Sequence, residues 1–236
     1  MHNVFTIFKR ELHSYFTSPI AYVVITVFLL ISGWFFSSNL FLMNQASLRT
    51  AFSIIPLIFI FFVPAITMRL ISEEKKSGTI ELLVTMPIKD HEIVLGKYFA
   101  ALVLLVVALA FTLIYAISLA FLGNLDAGPT IGGYIGLVFM GGTYLALGLF
   151  ASSLTENQIV AFIISFLIIF VLFMLDKVLF FVPSGLTTIF EYLSIDYHFN
   201  NISRGVIDSR DVIYYLSVIV LGLVLASRMI ERRKWS

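Results

Sequence analysis

Six long apolar stretches constrain the fold of this chain more than any other feature. The spans that they predict cover about residues 20–42, 51–70, 94–122, 131–154, 158–182 and 211–229. At about 1.5 Å per residue, about 20 apolar residues in a helix cross a hydrocarbon layer of about 30 Å. The pattern therefore predicts an all-α, polytopic membrane protein with six transmembrane helices in a single transmembrane domain, residues 1–236.

The composition excludes several classes of function. Hydrophobic residues make up 60% of the chain and charged residues 12%, which is too apolar for a soluble domain of 236 residues. The chain contains no cysteine, so disulfides and thiolate metal sites are absent. The four histidines are dispersed along the sequence and predict no metal site. We also find no group of acidic, basic or nucleophilic side chains within the spans that would support a membrane enzyme, and expect no catalytic residue.

The distribution of Lys and Arg predicts the orientation. Eleven of these residues fall in the two termini and the even-numbered connections, and four fall on the opposite side. Positive charge is enriched in cytoplasmic loops, so the N-terminus, the C-terminus and the connection 69–97 are predicted to be cytoplasmic.

The N-terminal residues predict an amphipathic helix over 4–17. Its aromatic and aliphatic residues recur at helical spacing, with Lys9, Arg10 and His13 between them, and Ser18-Pro19 ends it. The apolar positions are Phe5, Phe8, Leu12, Tyr15 and Phe16. Such a helix lies in the cytoplasmic interface of the membrane, either as an anchor alone or as part of a docking surface.

The connection between the second and third spans carries an ordered polar insert, residues 73–87. The segment 70–76 is expected to continue the second span, and Gly78 to interrupt it. A short helix is expected over residues 79–86, because Pro87 disfavours helix at the residue before it. From spacing alone, this helix is either a connector lying on lipid or a site for a soluble partner.

The insert resembles the signature of ABC-2 type transporter permeases. The matching positions are Glu74, Gly78, Thr79, Ile80, Glu81, Leu83, Thr85 and Pro87, followed by Leu95-Gly96-Lys97. The amphipathic start, the six spans and the long connection between the fifth and sixth spans also fit this family. The segment 192–215 is similar, more weakly, to the gliding-motility-type and copper-maturation-type branch.

The resemblance implies a mechanism. The Gly78–Pro87 segment would be a coupling helix that sits in a cleft of a separate cytoplasmic ATPase, with two ATPase subunits and a second permease in the complex. The residues implied in coupling are Glu73, Glu74, Gly78, Thr79, Ile80, Glu81, Leu82, Leu83, Thr85 and Pro87, with Phe8, Lys9, Arg10 and Leu12 of the interfacial helix beside them. The chain has no P-loop motif, so ATP and Mg²⁺ would be bound by the partner, and no cofactor is expected here.

The resemblance favours an exporter subunit in a bacterial inner membrane, surrounded by lipid and without a nucleic-acid partner. The alternative is a mechanical subunit that passes ATP-driven motion to an extracytoplasmic accessory protein without moving a substrate. The gliding-type similarity supports that alternative.

Three further features have two interpretations each. The glycines of the fourth span indicate either tight packing or a surface that moves during gating. Asp176 and Lys177 mark either the outer end of the fifth span or a charge along a substrate path. The external segment 183–210, with a short helix expected over 187–193, is either an interfacial, re-entrant lid or a contact for substrate or partner.

Overall fold

A computed structural model describes residues 2–43, 48–79, 88–122, 126–178 and 187–232. Within these ranges the chain forms ten α-helices and no strand, which confirms the predicted all-α fold. In chain order they are α1 (His2–Thr17), α2 (Pro19–Met43), α3 (Arg49–Thr67), α4 (Ser72–Lys76), α5 (Asp90–Leu122), α6 (Ala127–Leu154), α7 (Gln158–Val178), α8 (Thr187–Leu193), α9 (Ile195–Ser203) and α10 (Ser209–Arg232).

Six of the described segments are long and apolar enough to cross a membrane. They are α2, α5, α6, α7, α10 and the run Arg49–Lys76, which holds α3 and α4. The predicted number of spans is therefore confirmed, and the chain is a multi-pass membrane protein. The helix of the third span, α5, begins at Asp90, whereas the sequence predicts residue 94. Residues 179–182 of the predicted fifth span lie outside the described part of the chain.

Consecutive spans run in opposite directions, so the bundle has two ends. The first, which we call the α1 end, holds α1, α4, the start of α5 and the last turn of α6. The second, the α9 end, holds α8, α9 and the starts of α6 and α10. All polar clusters described below lie at one of these two ends.

The central helix is α6. In its most apolar 18-residue window 78% of the residues are buried, against 22% in α2, α7 and α10. Its glycines make this possible, since a Cβ atom at Gly141 would lie 2.5 Å from Leu105, and one at Gly133 would overlap Phe52. Of the two interpretations of these glycines, tight packing is thus confirmed, and movement during gating stays a prediction.

The N-terminal helix packs along α5. Ile7 and Tyr15 are buried, while Phe8 and Leu12 lie partly buried against the bundle. Phe5, expected on the same apolar face, is instead 63% exposed. The helix ends at Thr17 and α2 begins at Pro19, as the Ser18-Pro19 pair predicts.

The ninth helix lies along the first half of α6. Phe199 packs against Gly136, and the backbone oxygen of Ile202 lies against Gly132, so glycine allows the two helices to approach closely. The chain then turns at Gly205, whose φ of +90° is accessible to glycine at little cost. The segment after α7 therefore packs into the bundle at the α9 end.

Candidate functional site

The second span does not continue as one helix into the polar insert. The candidate span does run to Lys76, as expected for residues 70–76, but residues 68–71 form a turn that divides it into α3 and α4. The hydroxyl of Ser152 in α6 holds this turn. It accepts hydrogen bonds from the backbone nitrogens of Ile71 and Ser72, each at 3.1 Å, and donates to the oxygen of Met68 at 3.0 Å. One buried hydroxyl thus satisfies three backbone groups that the break leaves without helical partners.

A lysine ties α4 to the end of α6. The Nζ atom of Lys75 donates to the backbone oxygen of Ser153 at 2.5 Å. The last carbonyl groups of a helix carry partial negative charge, so a cation is favourable there. A second pair, Arg69 Nε to Glu73 Oε2 at 3.0 Å, spans the turn itself. The direction in which α4 leaves the bundle is therefore set by contacts with α6 and by its own preceding residues.

Four charged side chains from three helices meet beside α4, and we call them the Lys97 cluster: Arg10, Glu11, Glu74 and Lys97. The Nζ atom of Lys97 lies 2.8 Å from Oε1 of Glu74 and 3.1 Å from Oε1 of Glu11. Arg10 reaches the same two carboxylates, at 3.2 Å and 2.8 Å. The cluster joins α1, α4 and α5.

Burial makes this cluster sensitive to the loss of any member. The side chain of Lys97 is 2% exposed. Removing one partner from a buried ion pair leaves an uncompensated charge, which costs about 3–5 kcal/mol. Burial alone would raise the pKa of Glu11, but Lys97 and Arg10 outweigh that effect, so the pKa of this carboxyl is lowered.

Glycine brings α1 close enough to α5 for these contacts. A Cβ atom at Gly96 would lie 2.7 Å from Cγ2 of Ile7 and 3.1 Å from the backbone oxygen of Val4. Glycine at position 96 therefore permits the close approach of α1. Lys97, the next residue, then forms an ion pair with Glu11. This gives a structural reason for the Gly-Lys pair that follows the insert.

A second contact fixes the start of α5. Oε2 of Glu92 accepts from the backbone nitrogen of Lys89 and from the side-chain amide of Asn3, each at 3.1 Å. The first contact is the reverse half of a capping box, in which a carboxylate reaches back to the residue before the helix. The N-terminus of α1 is thus attached to the residue at which the chain returns from the insert.

A cleft of about 520 Å³ opens beside the Lys97 cluster. Its walls include both members of the Arg69–Glu73 pair, together with Tyr15 and Thr79. The hydroxyl of Tyr15 is buried with no hydrogen-bond partner among the described residues, and burial raises the pKa of this phenol. The cleft lies directly where the described part of the insert ends.

Within the insert, α4 is followed by a turn at a glycine. Gly78 has a φ of +71°, a left-handed conformation that side chains disfavour. The hydroxyls of Ser77 and Thr79 lie 2.9 Å apart across it. The predicted interruption of the helix at Gly78 is therefore present, and Thr79 resumes helical geometry.

The structure describes only part of the predicted coupling residues. Glu73, Glu74, Gly78 and Thr79 lie together at the α1 end. The others are outside the described residues: Ile80, Glu81, Leu82, Leu83, Thr85 and Pro87. In α1, Arg10 joins the Lys97 cluster, Lys9 is exposed, and Phe8 and Leu12 pack towards the bundle rather than away from it.

Sequence reasoning missed Glu11, Ser152 and the pairing role of Lys97. From the sequence, Lys97 is one of the positive charges of the connection and part of the Leu95-Gly96-Lys97 match, and neither names a partner for it. The sequence does contain a signal for the pairing of Lys97. This residue interrupts an otherwise apolar helix, and a buried lysine needs a carboxylate partner. Glu11 stands out in the same way as the acidic residue of a short basic helix.

The charged pair near the end of α7 contacts the α9 end. Lys177 Nζ lies 2.7 Å from Oδ2 of Asp196 in α9 and 3.2 Å from Oδ2 of Asp176. Its side chain is 48% exposed, so this lysine lies near the end of the helix and is not buried at its centre. Asn200 also donates to Asp196, at 3.2 Å. The contacts favour the interpretation of this pair as the end of the span.

Comparison with known proteins places this architecture in a family. No curated protein matches the chain. The model of the family described as "ABC-2 family transporter protein" matches residues 5–230, which include the transmembrane helices described above except the last two residues of α10. This chain therefore belongs to the ABC-2 family of transporter membrane proteins.

Proposed function

We propose that this chain is the permease subunit of an ATP-driven ABC exporter and that a separate cytoplasmic ATPase drives it through residues 78–87. One observation carries the proposal. The Lys97 cluster joins α4, which forms the start of the insert, to α5, which follows the insert, and to α1. A displacement applied to the insert would therefore reach three helices at once.

The contacts at the α1 end suit transmission of motion. Ser152 and the carbonyl of Ser153 hold α4 on α6, the most buried helix, while Glu92 holds the start of α5 on α1. Packed helices shift as units because protein interiors deform little. In the proposed cycle, closure of two ATPase subunits displaces the insert, and α3 and α5 move with it.

The proposed complex contains two permeases. The helices α2, α7 and α10 present large apolar faces, which include Trp34, Phe41 and Ile159. Lipid covers such faces, and a second permease, identical or similar, would cover part of one. We place the substrate path between the two permeases, and ATP and Mg²⁺ in the partner ATPase. The α1 end and both termini are assigned to the cytoplasm of a bacterial inner membrane, on the basis of the Lys and Arg distribution.

Purification of the complex from its native membrane tests the proposal. The chain should co-purify with an ABC ATPase, and ATP hydrolysis should accompany movement of a substrate. Absence of any ABC ATPase would contradict the central claim. Coupled hydrolysis in a complex that contains a large extracytoplasmic partner and moves nothing would instead favour the mechanical alternative.

A charge reversal in the insert tests the coupling route. Glu81→Arg should leave the protein in the membrane and abolish substrate movement, because the acidic residue would face the ATPase. Glu231→Arg is the matched control, since Glu231 is an exposed carboxylate near the end of α10. Normal ATPase association and normal coupled activity in Glu81→Arg would exclude this route.

A further inference from the structure

A buried histidine joins three helices at the α9 end. The Nδ1 atom of His198 in α9 lies 2.6 Å from Oδ1 of Asp211 in α10, and its Nε2 atom lies 3.1 Å from the backbone oxygen of Tyr192 in α8. The side chains of His198 and Asp211 are 2% and 5% exposed. The imidazole also stacks on the ring of Tyr214, with centroids 3.9 Å apart.

Both groups that face the ring nitrogens are acceptors. A carbonyl oxygen and an ionised carboxylate accept hydrogen bonds and donate none. A doubly protonated imidazole donates to both, whereas a neutral imidazole has one N–H and turns a lone pair towards the other acceptor. The proton between Nδ1 and Oδ1 can be bound to either atom, so we count it as a proton of the pair and not of one residue. Loss of one proton from the His198–Asp211 pair therefore breaks one of its two contacts.

The other ionisable groups around the pair belong to residue types that ordinarily titrate outside pH 6 to 8. They are Tyr192, Tyr197, Tyr214 and Tyr215 around the ring, Asp196 with its partners Lys177 and Asp176, Glu191 of α8, and Tyr144 of α6. Tyrosine, lysine and carboxylate side chains ordinarily titrate outside this range, and imidazole within it. Asp196 is also already bound to Lys177.

The eighth helix is the part of the α9 end that depends most on these contacts. It has no buried residue, whereas α9 buries Ile195, Phe199 and Ile202. Besides the contact of His198 with Tyr192, the Tyr214 hydroxyl donates to the backbone oxygen of Leu193 at 2.7 Å. Polar contacts from His198 and its stacking partner therefore tie the end of α8 to the bundle.

We propose that the His198–Asp211 pair is a proton-dependent latch that holds α8 on the bundle, closed in acid and loosened as the pH rises. The direction follows from the geometry, because the protonated pair makes both contacts and the deprotonated pair makes one. The latch is independent of how the protein is driven, and its test requires no ATPase.

Hydrogen–deuterium exchange of the full chain in lipid nanodiscs tests the latch. Exchange is followed at pH 6 and pH 8, with labelling times scaled so that the intrinsic chemical exchange is equal. The backbone amides of residues 187–193 should lose at least about tenfold protection at pH 8, the effect expected from one hydrogen bond of a charged donor. The buried middle of α5 is the internal reference and should not change.

Two variants should act in opposite directions. In Asp211→Asn the new amide donates to Nδ1 of a neutral His198, whose Nε2–H then donates to Tyr192, so protection should stay high at pH 8. His198→Asn removes the contact with Tyr192, so protection should be low at both pH values. A merely structural role of the pair would lower protection in both variants. His13→Asn, in the exposed part of α1, is the matched control and should keep the wild-type pH dependence.

Equal protection of residues 187–193 at pH 6 and pH 8 in the wild-type protein would overturn the proposal, whether or not the variants fold. Loss of protection in Asp211→Asn at both pH values would also overturn it. So would a pH dependence that persists unchanged in His198→Asn.

Discussion

The Nζ atom of Lys97 lies 2.8 Å from Oε1 of Glu74, although Glu74 lies in α4 at the start of the insert and Lys97 lies beyond its end, in α5. This ion pair holds the two ends of the segment between these residues together. Glu11 of α1 shares the lysine, at 3.1 Å. At the α1 end, α4 and α5 are therefore joined to each other and to the N-terminal helix by shared ion pairs.

Replacement of the buried lysine should destabilise the protein. Lys97→Met leaves two carboxylates without this partner, so we expect a loss of about 3–5 kcal/mol. A fall in the thermal unfolding temperature in detergent, with release of α1 measured by limited proteolysis, checks this. Lys89→Met is the control, because the side chain of Lys89 is exposed just before the start of α5. Equal unfolding temperatures for the wild type and Lys97→Met would show that the ion pair contributes nothing.

A methyl group at position 96 should push α1 away from α5. Gly96→Ala places a Cβ 2.7 Å from Ile7, and overpacking of this kind costs about 1–3 kcal/mol. Ile7→Ala should recover part of the loss, and a double-mutant cycle on unfolding free energies measures the coupling. Gly128→Ala is the control, since its Cβ would meet only Asp126 at 3.8 Å. Additive effects of the two substitutions would contradict a direct contact.

Acid should weaken the attachment of α1. The pKa of Glu11 is lowered in the folded protein by Lys97 and Arg10, against the effect of burial. A carboxyl with a lowered pKa stabilises the folded state above its unfolded value of about 4.3 and loses this contribution as the pH falls through the folded value. The unfolding temperature, measured from pH 7 to pH 3, should therefore drop below about pH 4.3. Glu11→Gln should flatten that drop, and Glu231→Gln should not.

Single cysteines should locate the two ends of the bundle. The chain has no cysteine, so each introduced thiol is unique. Ser77 at the α1 end and Ser209 at the α9 end are exposed. In intact cells a membrane-impermeant maleimide should label Ser209→Cys and leave Ser77→Cys unlabelled until the membrane is opened. The reverse pattern would invert the proposed orientation.

Much of the local architecture could be predicted from the sequence. Apolar runs of sufficient length must become membrane helices, because unpaired backbone groups are too costly in hydrocarbon. Ser18-Pro19 and Gly78 act through their own backbone preferences, so the breaks that they produce were predictable as well. The short helix 187–193 also occurs where it was expected.

The polar pairings were not predictable in this way. Lys97 and Glu11 are 86 residues apart in sequence, and Asp211 meets His198 only because α9 packs along α6. The turn at 68–71 forms because Ser152, from another helix, supplies the hydrogen bonds that the break requires. The local backbone preferences of residues 70–76 do not predict this turn.

The sequence by itself determined the membrane class, the number of spans, the helix breaks at Ser18-Pro19 and Gly78, and the family resemblance of the insert, since these depend on local composition and backbone preference. Only the tertiary structure decided which charges neutralise one another and which helices these pairs join. The physical reason is that a charge buried in a bundle must find its partner in space, and helix packing selects that partner irrespective of distance along the chain.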